Sequence, residues 1–219
     1  MLKQVPLLYR ALKLSRASRF LPYIGAALVA VGNLRMLQAA AGLGNERSTG
    51  PDVTLILKSA RKTLQHALRR KGLEASTRTE GRLALAQVNW LLGDLDEGLK
   101  LATQGLEEAH RSSLMRLVAH GERILGGILA AQDQRIKAIE YFDQALKIFR
   151  KCGMRLEEAR TLQAYGEMLV QEGESVGKNY QRGVEYLQES LQMFVKHKAE
   201  LDVKLVERVL GRCGATVQA

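Results

Sequence analysis

Proline is scarce in this chain of 219 residues. Pro6, Pro22 and Pro51 are its three, so beyond residue 51 no proline interrupts a helix. Cysteine is scarcer still. Cys152 and Cys213 can build neither a disulfide framework nor a metal cluster, and two lone thiols fit a reducing cytoplasm. Aromatic residues amount to 5%, with Trp90 the single tryptophan. Alternating Val/Ile/Thr runs joined by Asn-Gly turns are missing, which removes the strand signal and leaves an all-α chain. Acid is absent from the first 45 residues.

What is present is an ordinary globular balance, 46% apolar and 26% charged, with a net charge of +10. The charge is unevenly placed. Residues 1–72 hold 13 Lys/Arg against only Glu46 and Asp52, whereas residues 73–219 hold 20 against 21 acids. Such a basic third either attracts an acidic partner (nucleic acid, an acidic protein face or a lipid headgroup surface) or is a solvated face that meets the rest of a larger protein. The apolar run Phe20–Gly32 is too short for the ~20 residues of a membrane span, and it reads as a buried helix. On the helix expected from Val53 to about Lys71, Lys58, Arg61, Lys62 and Arg69 share one side and, with Arg70 and Lys71, form a basic patch. Leu57, Leu64 and Leu68 take the other side. The patch has no interleaved aromatic to stack bases, and no helix-turn-helix or zinc module accompanies it.

Small residues recur at fixed offsets. Ala138, Phe142, Ala145 and Leu146 are matched by Gly98, Ala102, Gly105 and Leu106, by Ala60, Leu64, Ala67 and Leu68, and by Gly183, Leu187, Ser190 and Leu191. The intervals of 38, 40 and 45 residues are those of helical repeats. A partner helix precedes three of these, each with its own small residue, Ala86, Gly126 or Gly166. Two helices about 8–10 Å apart need one carbon or none where their axes approach most closely.

With Leu92–Gly98, Leu125-Gly126…Ala138…Phe142…Ala145-Leu146 and Tyr165-Gly166…Gly183…Leu187, the chain resembles the tetratricopeptide (TPR) repeat family. The family's helix-ending proline is missing, its usual tryptophan position is not filled by one, and the units are long. In its long units, and in Gly153–Leu162 followed by Tyr165-Gly166-Glu167, the chain is similar to TPR tails of bacterial signalling ATPases and of maltose-regulon-type transcription activators. The resemblance implies a right-handed α-solenoid of about four helix-turn-helix units. Its expected parts are a basic N-terminal helix (1–22), units at about 24–72, 75–113, 114–153 and 155–198, and a capping helix with its tail (199–219).

It also implies a concave groove lined by the first helix of each unit. That maps Gln87, Trp90, Leu91, His120, Arg123, Arg160, Gln163 and Glu167 to the groove, with packing of Trp90 between adjacent units the favoured alternative for that residue. The family's carboxylate clamp needs Lys and Asn at set positions, and these are absent as a set.

Catalytic chemistry finds no foothold. Gly42–Gly50 lacks the Lys-Ser/Thr of a phosphate loop and does not follow a strand. His66, His110, His120 and His197 are scattered without metal-ligand spacing, so no cofactor or metal is expected. The expected function is that of a non-enzymatic, cytoplasmic scaffold or sensor, the C-terminal part of a larger bacterial signalling ATPase or regulator, holding a protein or peptide in its groove. The alternative is a nucleic-acid-associated protein that grips phosphates through residues 1–72.

Overall fold

Where side chains shrink to a methyl group or less, helices can touch, and here those places recur along the chain. A computed structural model describes residues 53–171 and 177–214. Among them are eight helices and no strand: α1 (Val53–Leu68), α2 (Ala75–Leu91), α3 (Leu95–Arg111), α4 (Met115–Ala131), α5 (Arg135–Lys151), α6 (Arg155–Val170), α7 (Lys178–Lys196) and α8 (Glu200–Arg212). The expected helix at 1–22, the apolar run Phe20–Gly32 and the stretch Gly42–Gly50 lie outside the described residues.

The chain divides into two compact units, the first ending at Ile124 and the second beginning at Leu125, inside α4. In the first, α1 packs on α2 and α2 on α3. Ala60, Leu64 and Ala67 of α1 meet Ala84, Leu85 and Val88 of α2. On α3, the stripe Gly98, Ala102, Gly105 and Ala109 is buried. Asp96 and Glu97 open that helix and His110 and Arg111 close it, signs that suit its dipole.

In the second unit α5 packs on α6, α6 on α7 and α7 on α8, and α8 also touches α6. This consecutive packing is that of a helical solenoid. Leu187, Leu191 and Phe194 of α7 are covered by Val206 and Leu210 of α8. Asp202 of α8 turns in to Arg160.

All the small template positions are buried. A methyl group added at Gly166 would lie 2.8 Å from the Gly183 carbonyl oxygen. One added at Gly183 would lie 2.9 Å from Leu169 Cβ, and one at Gly126 3.0 Å from the Phe142 ring.

The turns are copies of one design. After α2, α3, α4, α5 and α7 a single residue enters the left-handed region: Gly93, Ser113, Asp133, Gly153 and Lys198. The next amide then reaches back to a carbonyl five residues earlier, as in Leu114 N to Ala109 O and Ala199 N to Phe194 O, both 2.9 Å. These bonds satisfy carbonyls that the helix end leaves open. Asp94 precedes α3 without a side-chain cap and takes Arg61 instead, while Asp133 is the left-handed residue of its turn and pairs with Arg135 at 3.0 Å.

Candidate partner-binding surface

In the second unit, three of the groove candidates lie on α6 at spacings of three and four residues, hence on one side of it. Arg160 is pinned from two directions. It donates to Glu157 on its own helix at 2.8 Å and to Asp202 on α8 at 3.1 and 3.5 Å. Burial, the largest influence, opposes its charge, yet hydrogen bonding to Asp202 and the fields of Glu157 and Asp202 leave it harder to deprotonate than a free arginine. Gln163 donates to Glu167 at 2.8 Å. Burial raises the Glu167 carboxyl above its usual value, against the pull of Gln163 and Arg212. Glu167 also borders a cleft of about 340 Å³ shared with Tyr180, Val209, Arg212 and Cys213. Tyr180 closes one wall by donating to the Cys213 carbonyl at 2.9 Å.

Sequence patterns did not reveal the support beneath this face. Tyr165 is wholly buried, stacked on Phe142 with ring centres 5.1 Å apart and tilted against Tyr186 at 5.0 Å. Arg182 lies over both tyrosine rings and donates to the Tyr186 hydroxyl at 2.6 and 2.8 Å. Burial, followed by the negative field of Asp143, holds the Tyr165 hydroxyl well above its ordinary value. Each buried aromatic of this size contributes about 1.5–3 kcal/mol, so the cluster locks α5, α6 and α7 together.

In the first unit, Gln87, Trp90 and His120 are half-buried and Leu91 is exposed. Arg123 is buried, 8% exposed, and so offers a ligand little surface. The half-burial of Trp90 fits packing and partial display together. Nearby Glu122 is buried with Oε1 4.0 Å from His110 Nε2, and its Oε2 has no hydrogen-bond partner among the described residues. Burial raises its carboxyl from 4.5 to about 7.

The basic patch of α1 is only partly free. Lys58, Lys62, Arg69 and Lys71 are exposed. Arg61, however, leaves the stripe to bind Asp94 and, at 3.3 Å, the Asn89 side chain. Arg70 donates to His66 Nε2 at 2.8 Å, which requires that nitrogen to be unprotonated. Leu57 and Leu64 are buried on the opposite side, as the periodicity predicts. No cluster of metal ligands and no helix long and apolar enough to cross a membrane occurs among the described residues.

No family model and no curated protein matches the chain. Among solved structures, the crystal structure of BtubC (BKLC) from P. vanneervenii is similar, with a TM-score of 0.53 over 97% of this chain and 89% of that one. At 15% identity the likeness is one of fold, and it agrees with a helical-repeat architecture.

Proposed function

We propose that this chain is a TPR-type interaction module, a cytoplasmic scaffold or sensor that holds a protein or peptide partner along the first helices of its hairpins. The observation that carries this is the α6 face, where Arg160 is fixed between Glu157 and Asp202 and Gln163 is fixed by Glu167. Side chains held before a ligand arrives spare it the ordering cost, about 0.5–1.5 kcal/mol for each one immobilised. By the sequence resemblance, the module serves a larger bacterial signalling ATPase or regulator.

Affinity capture from the source cells tests the proposal. The bait is the wild-type chain beside a Gln163→Ala/Glu167→Gln double variant and a Lys147→Ala control. A partner held by wild type and control but lost from the double variant supports it. Equal retention by all three overturns it. Nucleic acid captured equally by wild type and double variant, and lost from Lys58→Ala/Lys62→Ala, favours the phosphate-binding alternative.

A further inference from the structure

The basic patch does not end with α1. Residues 69–74 join α1 to α2, and the contacts of Thr79 and Arg82 with Glu108 set the N-terminal part of α2 beside the C-terminal part of α3. There a cleft of about 410 Å³ opens between α2 and α3, bordered by Arg78, Arg111, Thr79, Ser112, the acidic Glu108 and the apolar Leu73 and Ala75. Its cations differ in state. Arg82, just behind it, is neutralised by Glu108, which also accepts from Thr79 at 3.3 Å. Arg78 and Arg111 are exposed and have no acid within ion-pair distance among the described residues. Arg69 and Lys71, also exposed, precede the cleft by a few residues.

We propose that this cleft receives an acidic segment of a protein partner, one carboxylate between Arg78 and Arg111 and its neighbours over Arg69 and Lys71. A guanidinium offers a planar fork that a carboxylate matches with two hydrogen bonds. Leu73 and Ala75 give the methylenes of a glutamate an apolar floor. A nucleic-acid backbone fits less well. The cleft has no aromatic wall on which a base could stack. The inference rests on the partner-binding reading for the class of ligand, but it uses none of the α6 residues.

The test is fluorescence anisotropy with a labelled hexaglutamate peptide and the full chain at low salt. Parallel arms use a hexaglutamine peptide and a labelled DNA duplex. Arg78→Ala/Arg111→Ala should weaken hexaglutamate binding about tenfold or more, the effect of losing two charged hydrogen-bonding groups. Lys58→Ala/Lys62→Ala removes the same charge elsewhere and should leave binding within about twofold of wild type, because surface charge alone acts weakly. Hexaglutamine should not bind. Equal weakening by the two double variants would show a general charge effect and overturn the proposal. So would DNA binding tighter than hexaglutamate through the same arginines. Gln163→Ala/Glu167→Gln should bind the peptide normally, so failure of the α6 reading and failure of the cleft are told apart. All four substituted cationic side chains are exposed or at the surface, and circular dichroism of each variant confirms its fold.

Discussion

Gly166→Ala puts one methyl group where α6 and α7 come closest. It would lie 2.8 Å from both the Gly183 carbonyl oxygen and Leu187 Cγ. A backbone oxygen cannot swing aside, so the helices must separate or the turn of helix must deform, at a cost of about 1–3 kcal/mol. Alanine is also the better helix former, by about 1 kcal/mol. The two effects leave a net loss of roughly 1 kcal/mol. Gly211→Ala in α8 isolates the second effect, since a methyl group there meets nothing within 4 Å. That substitution should stabilise the chain by about 0.5–1 kcal/mol. Urea unfolding followed at 222 nm reads both, with amide exchange locating the change in α6 and α7. In a chain of this size the two variants should melt about 2–4 °C apart for each kcal/mol between them. If Gly166→Ala stabilises as much as Gly211→Ala, close helix approach is not what these glycines provide.

Other outcomes follow from single contacts. Lys198 sits in the left-handed region, so Lys198→Gly should raise stability by about 1 kcal/mol in thermal unfolding. No gain would mean that the turn relaxes without cost. Glu122 keeps its proton in the folded chain up to about pH 7, against about 4.5 when unfolded, so stability falls as pH rises through that window. Glu122→Gln should flatten the profile between pH 5 and 8 and gain at most about 3 kcal/mol at the upper end. Parallel profiles would mean that the carboxylate is solvated. Asp202→Ala and Arg160→Ala should each cost about 1 kcal/mol, with a double-mutant coupling of similar size, because the pair is partly exposed. Full additivity would show that α8 does not hold Arg160.

The helices and their buried stripes were legible because they depend on residue size at short, regular spacing. Gly98, Gly126, Ala138, Gly166 and Gly183 all announce themselves in that way. The turns were less so. Gly93 and Gly153 are recognisable, but Ser113, Asp133 and Lys198 adopt the same backbone without glycine, and nothing local marks them. Polar contacts between distant residues were not legible at all. Arg61 with Asp94, Arg160 with Asp202, and the Arg78–Arg111 cleft each join positions 33 or more residues apart, and periodicity carries no information about such pairings. Asp202 shows the consequence. Helical spacing puts it on the outer side of the apolar stripe of α8, yet a long guanidinium from α6 reaches across to claim it.

The partner-binding claim is tested most directly by thiol reaction rates. Cys152, exposed, and Cys213, half-buried, are first changed to serine. A single cysteine is then introduced by Gln163→Cys on α6 or by Gln192→Cys on the exposed side of α7. With the captured partner present, labelling at 163 should slow sharply while labelling at 192 stays unchanged. Slowing at 192 with free reaction at 163 would place the partner on the outer helices and contradict the proposal.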